Sequence, residues 1–231
     1  MIDWHCHVLP GMDDGSKDAE ESLALMQLLS EQGVNTAIAT PHFYANDESV
    51  ADFLRRRREA YEVLKPFFLE CTPNIRLGAE VRYYPGIGKL AELNRLCIGG
   101  SRLLLLEMPM EKWTDYTIRE LVEIANARSL TLVLAHIDRY LPMQNSETWN
   151  NLYNAGILMQ VNASFFTALF TRRKAFSLFQ NGGIHLIGSD CHNLKYRPPC
   201  LGRAYDLLRR KFGDEFVSQF NQYGCSMLDA I

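Results

Sequence analysis

Two histidines two residues apart, His5 and His7, stand at the end of the first apolar run of the chain. Alternate residues of a strand share a face, so both imidazoles can aim at one point. His42 follows the run Val34–Thr40, His136 follows Leu130–Ala135, and Asp190 and His192 follow Ile184–Gly188, again two apart. Glu80 sits late in Ile75–Val81, and Glu107 closes the leucine-rich run Ser101–Leu106. Five of the six histidines therefore lie at the C-terminal ends of predicted strands, and His185 opens a strand and points away. Imidazoles and carboxylates converging on one place hold divalent metal, and this N/O mixture suits zinc, manganese or iron. No cysteine joins the set, which disfavours a structural zinc site. The donors are His5, His7, His42, Glu80, Glu107, His136, Asp190 and His192, with Asp13 or Asp14 nearby. They are too many for one ion, so two or three ions and a bridging carboxylate are implied.

Elements that could gather these residues are legible along the chain. Met1–His5 reads as a buried strand, Asp18–Gln32 as a helix stopped by Gly33, and Val34–Thr40 as a strand closed by Pro41. A long helix follows over Asp47–Phe67, then strands over Ile75–Val81 and Ser101–Leu106. Helix Tyr116–Ala127, strand Leu130–Ala135, helix Thr148–Ala155, strand Ile157–Asn162, helix Phe165–Gln180 and strand Ile184–Gly188 continue the alternation. Two helices, near Ala204–Phe212 and Glu215–Tyr223, end it. Strands alternating with helices predict a parallel sheet, and strands written as continuous apolar runs predict helices on the sheet's faces. Seven or so units without a linker predict a closed barrel, with an open doubly wound sheet as second choice. In a barrel the C-terminal strand ends share one rim, where active sites form. The basic runs Arg55–Arg58, Arg172–Lys174 and Arg209–Lys211 read as solvated helix faces.

Composition narrows the classes. A chain of 231 residues fits one barrel domain spanning 1–231. A net charge of −3, from 24 basic and 27 acidic side chains, argues against a dedicated nucleic-acid binder. No apolar run is long enough to span a membrane. The first residues carry no basic, apolar leader, and the six cysteines are scattered without a CxxC pair. Reduced thiols and a cytoplasmic location are the expectation.

The stretches MIDWHCHVLPGMDDGSKD, IATPH, LGAE, LLLLEMP, LAHIDRY and LIGSDCHN followed by YRPP resemble the PHP superfamily, named for polymerase and histidinol phosphatase domains. Within it the chain is most similar to the bacterial tyrosine-protein phosphatases of the capsule and exopolysaccharide type. The resemblance runs from residue 1 to about 199. It implies a distorted, TIM-like (β/α)7 barrel, one strand short of eight, with a trinuclear metal cluster. Carried over, it implies one ion on His5, His7, Glu80 and Asp190. A second ion would take Glu80, Glu107 and His136, and a third Asp14, His42 and His192, with Asp13 as fallback. Manganese is the first expectation, with iron, zinc or magnesium as alternatives. One departure stands out: Ile137-Asp138 replaces the family's usual Pro-Glu before Arg139, so the shorter Asp138 would hold Arg139 less well. The implied partner is a phosphotyrosine protein, a bacterial tyrosine kinase tail, with no nucleic acid and no membrane insertion.

A phosphomonoesterase needs an activated water and neutralised phosphoryl oxygens, and divalent ions supply both. Arg139 and Arg197 are the expected phosphate clamps, since guanidinium forks match phosphate bidentately. A phenolate leaves readily (pKa about 10), so phosphotyrosine needs little help from a general acid. Phe43, Tyr44, Tyr83, Tyr84, Phe165 and Phe166 are candidates for a ring pocket or for packing. The rival readings are a histidinol-phosphatase-like or other small-molecule phosphatase, a 3′ exonuclease, an amidohydrolase, whose barrels also begin with His-x-His, and a metal-binding module without turnover. Cys191 and Arg197 formally match the Cys-x5-Arg loop of cysteine-dependent phosphatases. That loop needs glycine and free backbone N–H groups around phosphate, whereas this segment has no glycine and Pro198 follows it. At odd parity between Asp190 and His192, the Cys191 thiol is expected to face away from the metals.

Overall fold

The computed structural model describes residues 1–127 and 130–229; the last two residues of the predicted 1–231 unit lie outside the described residues. The strands are β1 (Ile2–Cys6), β2 (Thr36–Ala39), β3 (His42–Phe43), β4 (Asn74–Leu77), β5 (Glu80–Arg82), β6 (Leu103–Glu107), β7 (Thr131–Leu134), β8 (Leu158–Asn162) and β9 (Leu186–Gly188). The helices are α1 (Ala19–Glu31), α2 (Val50–Leu64), α3 (Asp115–Ala127), α4 (Ser146–Asn154), α5 (Ser164–Thr167), α6 (Arg172–Gln180), α7 (Leu201–Phe212) and α8 (Asp214–Asp229). Side chains of Asp18, Ser49 and Asn145 cap α1, α2 and α4 by accepting the backbone N–H three residues on.

All strand pairs are parallel, in the orders β1-β2-β4 and β3-β5-β6-β7-β8-β9. β2 and β3 are two pieces of one path broken at Thr40-Pro41, and β4 and β5 of another broken at Gly78-Ala79. Backbone bonds carry the ladder across both breaks, from Gly78 N to Ala39 O (2.8 Å) and from Glu80 N to Pro41 O (3.0 Å). The ring closes where Asp190 N donates to His5 O (2.7 Å) and His7 N to Cys191 O (2.9 Å). Seven strand paths therefore form a distorted parallel barrel, as the alternation of apolar runs predicts.

Two predicted spans come apart, and one basic run is not wholly solvated. The strand expected over Ile75–Val81 bends at Gly78, where an added Cβ would stand 3.0 Å from Ile98. The Gly78 carbonyl turned out by the bend accepts from the Arg57 guanidinium (2.5 Å). Arg57 is accordingly buried, contrary to the solvated face expected for Arg55–Arg58. The helix expected over Phe165–Gln180 is two helices, with Thr171 Oγ1 donating to Phe165 O (2.8 Å) in the turn between them.

Each strand has an outward face under the helices and an inward face in the ring. Inward residues Ile2, Trp4, Ile38, Leu103, Leu105, Val133, Leu158 and Leu186 form one apolar cluster, and Met227 and Leu228 of α8 pack against it. Outward residues such as Cys6, Ala39, Val81, Leu104, Leu132, Val161 and Ile187 belong to the larger core beneath the helices. Continuing the inward parity upward from Ile38, Leu105 and Leu158 reaches His42, Glu107, Gln160 and Asn162. Two places break parity to do the same. The register of β1 shifts between Asp3 and Cys6, which turns His5 and His7 inward after Trp4. His136 follows the inward Ala135 in a left-handed conformation, φ 31°. Among the described residues no helix is long and apolar enough to cross a membrane.

Candidate metal centre

The nine donors expected from the sequence come together at the C-terminal end of the ring. Glu80 stands at the middle. Its Oε2 lies 3.1 Å from His5 Nε2, 3.2 Å from His7 Nε2 and 3.1 Å from His42 Nδ1. Its Oε1 lies 2.8 Å from His136 Nε2, which is itself 3.6 Å from Glu107 Oε1. Asp190 Oδ1 is 3.7 Å from His5 Nε2 and 3.6 Å from His7 Nε2. Asp14 Oδ1 is 3.5 Å from His42 Nε2 and 3.4 Å from His192 Nε2. Three groups have donor atoms within 4.8 Å of one another: His5, His7 and Asp190; His7, Asp14, His42 and His192; and His42, Glu80 and Glu107.

Close glycines make this density possible. A Cβ on Gly188 would stand 2.5 Å from His5 Cβ, and one on Gly15 would stand 2.5 Å from His7 Cβ. The glycine of the DDG turn and that of the IGSD segment thus seat the two leading histidines. Asp190 adopts φ 52°, so among the described residues the two non-glycine residues in the left-handed region, His136 and Asp190, are both in the centre. Strain concentrated at such a place is held there by the surrounding fold.

The imidazoles are oriented from behind. His7 Nδ1 lies 2.8 Å from Asp13 Oδ2, which also accepts from His42 N (2.9 Å), while Asp13 Oδ1 accepts from Gly15 N (2.9 Å). Asp13 is therefore occupied as a support for His7, and exposed Asp14 faces His42 and His192. His192 Nδ1 lies 3.0 Å from the Asp190 carbonyl, and His5 Nδ1 lies 3.3 Å from Gln160 Oε1. With Nδ1 donating, each of these rings turns its Nε2 lone pair inward.

That arrangement fits cations. His5 Nε2 and His7 Nε2 meet at 3.0 Å, which requires a proton or a metal between two lone pairs. Among the described residues, the buried atoms His42 Nδ1, His136 Nδ1 and His192 Nε2 have no hydrogen-bond partner. His42 Nδ1 is near Glu80 but outside hydrogen-bonding geometry. Without metal, protons fill part of the role. Burial opposes charge on His5 and His7, yet the carboxylates of Glu80 and Asp190, and of Asp13 at His7, raise both above the usual imidazole value. Burial would raise Glu80 and Asp190, but the imidazolium charges outweigh it and hold both carboxyls low. Burial keeps His42 and His192 neutral, with His192 pushed down to about 4.

Two guanidiniums edge the cluster. Arg139 Nη2 lies 2.5 Å and Arg197 Nη2 2.7 Å from Asp190 Oδ2, which also accepts from Asn162 Nδ2 (2.8 Å). Arg139 is therefore held by Asp190. Asp138 instead accepts from Asn162 N (3.0 Å), so its shorter side chain ties the turn to β8. Of the ring-pocket candidates, Phe43, Tyr83, Phe165 and Phe166 are buried in the core, and Tyr84 packs partly against it. Tyr44 is open and lies over the His42 ring at 5.5 Å. Cys191 is buried in the core beneath the helices, on the side away from the donors.

Sequence reasoning passed over three residues. Gln160 and Asn162 are polar, buried and two apart on β8, the same signal that marked His5 and His7. Arg82, two residues after Glu80 on the same face, bonds Glu107 Oε2 at 2.8 Å.

Comparison with known proteins adds to this geometry. A family model described as capsular polysaccharide synthesis, CpsB/CapC, matches residues 1–226. The Tyrosine-protein phosphatase CpsB of Streptococcus pneumoniae is 33% identical over 92% of this chain and 91% of its own length. The Tyrosine-protein phosphatase YwqE of Bacillus subtilis is 30% identical over 93% of this chain and 86% of its own. A crystal structure from a study of YwqE from Bacillus subtilis and CpsB from Streptococcus pneumoniae superposes with a TM-score of 0.84 at 24% identity, covering 99% of this chain and 94% of that one.

Proposed function

The chain belongs to the CpsB/CapC family of capsular polysaccharide synthesis proteins, and from that premise we propose that it is a metal-dependent protein-tyrosine phosphatase. The observation that carries the proposal is Glu80, one buried carboxylate within 2.8 to 3.2 Å of four imidazole nitrogens. Such a constellation is a poor proton network and a good multinuclear cation site.

The proposed ligand sets are His5, His7, Glu80 and Asp190; Glu80, Glu107 and His136; and Asp14, His42 and His192. Manganese is the proposed ion, since the donors mix imidazole with carboxylate; iron, zinc and magnesium are the alternatives that elemental analysis distinguishes. When bound, the ions supply Lewis acidity, lowering the pKa of water and offsetting phosphoryl charge. The chain's own residues do the rest. Arg139 and Arg197 bind the phosphoryl oxygens, turning from Asp190 Oδ2 to substrate. Asp13, Gln160 and the Asp190 carbonyl hold the ring nitrogens in register. The apolar floor of Trp4, Leu105 and Val133 excludes water from below. A phenolate departs without an obligatory proton donor.

One domain over 1–231 would carry this site, because its donors come from β1 through the segment after β9. The proposed substrate is a phosphotyrosine tail of a bacterial tyrosine kinase, dephosphorylated in the cytoplasm, where six free cysteines persist as thiols. The test is turnover of a phosphotyrosine peptide beside histidinol phosphate and single-stranded DNA, with metal content measured on the same protein. More than one metal per chain, activity abolished by chelator and preference for the peptide are expected. Turnover by protein holding no metal would sink the metal site, and preference for histidinol phosphate would reassign the substrate.

A further inference from the structure

Large apolar side chains that stand open to water are informative when they gather. Among the described residues the three most exposed are Phe170, Tyr196 and Leu169, with relative exposures of 101, 80 and 77%. All three lie on two loops at the same rim as the metal centre. Leu169 and Phe170 occupy the turn between α5 and α6, just after β8, and Tyr196 with exposed Leu194 occupies the segment between β9 and α7. β8 and β9 are paired neighbours, and α5 after β8 packs against α7, so the two loops run side by side. Phe165 and Phe166, a few residues earlier, are buried. The fold therefore sorts the aromatic side chains of one segment into core and rim.

The presentation is fixed. Asn193 Oδ1 accepts from the backbone N–H of Lys195 (3.2 Å), Tyr196 (2.6 Å) and Arg197 (3.2 Å). This pins the loop with Arg197 turned in to Asp190 and Tyr196 turned out. The surroundings are basic. Lys195 Nζ lies 5.1 Å over the Tyr196 ring, and Arg173 and Lys174 are exposed where α6 begins. Beside Tyr44 a cavity of about 320 Å³ is lined by Asp13, Asp14, Asp47 and Glu48, with Arg56 paired to Glu48 and Arg197 Nη1 4.0 Å from Asp14 Oδ2. The apolar ridge thus stands beside the exposed cations Lys195, Arg173 and Lys174, next to the residue proposed to grip phosphate.

We infer that Leu169, Phe170, Leu194 and Tyr196 form a docking surface for the polypeptide around the phosphotyrosine, selecting substrates with large apolar side chains next to the phosphorylated residue. The inference rests on the phosphatase function proposed above. A phosphorylated polypeptide is the occupant because the ridge is continuous with the Arg197 loop and the basic groups around it complement a phosphorylated segment. Apolar contact on an exposed ridge marks an interaction surface, and adjacency to the centre makes that surface part of substrate selection.

The experiment compares the wild-type chain with Phe170→Ser, Tyr196→Ser and the double variant on three substrates. These are p-nitrophenyl phosphate, a phosphotyrosine peptide flanked by leucine and phenylalanine, and the same peptide flanked by serine. Wild type is expected to favour the apolar peptide by about ten-fold in kcat/KM, mostly through KM, as partial burial of one or two large side chains allows. The double variant is expected to bring that ratio near one while turnover of p-nitrophenyl phosphate stays unchanged. A wild-type ratio near one, with p-nitrophenyl phosphate hydrolysed, overturns the docking surface and leaves the phosphatase standing. Failure to hydrolyse any of the three overturns the phosphatase and the surface with it. Sedimentation of the same proteins completes the test: if the variants dissociate a dimer and leave the peptide ratio intact, the ridge is a self-association face and the inference is wrong.

Discussion

The floor and the roof of the barrel interior are made by the same strands on the same inward face. They differ in height along the strand. Below, Ile2, Trp4, Leu105, Val133 and Leu158 fill the ring, and Met227 and Leu228 pack against them. Above stand His5, His7, Glu80, Glu107 and His136. His185 is a control for residue type. It sits just before β9, at the opposite end of the ring, where its Nδ1 accepts from Met159 N (3.0 Å) and burial lowers its pKa. It is a satisfied histidine with a single backbone partner. Position along the strand, over a buried apolar floor, is what makes the other five a centre.

The sharpest way to break this comparison is to change one residue from each layer. Glu80→Gln removes the charge at the meeting point of four imidazoles. It should strip metal from the chain and lower turnover by about 10³-fold or more, equivalent to several kcal/mol of lost charge stabilisation. Leu105→Ala in the floor should lower unfolding stability by about 2–5 kcal/mol. Its metal content should be near wild type at a temperature where it remains folded. Elemental analysis and denaturant titration of both variants read the two effects. If Leu105→Ala loses metal as fully as Glu80→Gln, the layers are not separable.

Within the roof, the guanidiniums should separate from the ligands. Arg139→Ala is expected to keep its metal and lose turnover by about 10²-fold, the size of one lost transition-state contact. Arg139→Lys should recover little, because the planar fork that reaches Asp190 Oδ2 is gone. Wild-type kinetics in Arg139→Ala and Arg197→Ala would remove both from the proposed clamp.

The two layers should also answer pH differently. In the metal-free chain His5 and His7 have raised folded pKa values, so their contribution to stability is full below about 6.5 and fades as pH rises through those values. Glu80, Asp190 and Asp13 are depressed, so theirs is present above about 4 and fades as pH falls through their folded values. Metal needs neutral imidazoles, so uptake must expel the protons on His5 and His7. Metal affinity should rise as pH increases from about 6.5 through the raised folded values of His5 and His7. Calorimetry in two buffers at pH 6.5 should register released protons. His42 and His192, held neutral by burial, should contribute none. Affinity independent of pH would contradict the proton-filled state of the roof.

Much of this was legible in residue order, because a parallel barrel turns position along a strand into position in space. His42, Glu107, Asp190 and their run ends could be read that way. What escaped depended on contacts between distant segments. The break at Gly78 and the burial of Arg57 go together, since one supplies the carbonyl that the other binds. Residue order alone left Asp13 and Asp14 open, and only the resemblance favoured Asp14, because neighbouring carboxylates differ here only in which backbone and ring nitrogens reach them. Gln160 and Asn162 were within reach of the parity rule, but β8 was read as an ordinary apolar run.

The smallest expected effect is at Cys191, and it tests the comparison at its boundary. Asp190 and His192 on either side belong to the roof, whereas Cys191 faces the core under the helices. There it forms an isolated parallel bridge with Cys6, which lies between His5 and His7 and likewise faces out. Its backbone N–H donates to Ser189 Oγ (3.1 Å), so the main chain is held independently of the thiol. Cys191→Ser exchanges one buried small side chain for another that wants a hydrogen bond, which should cost about 1–3 kcal/mol of stability. Turnover should fall by less than about three-fold, since no atom of the proposed centre is touched, and metal content should stay whole. A cysteine nucleophile gives the opposite pattern: turnover abolished with stability and metal unchanged. Measuring all three quantities on Cys191→Ser therefore decides between hydrolysis at the roof of the barrel and attack from a thiol in the layer beneath the helices.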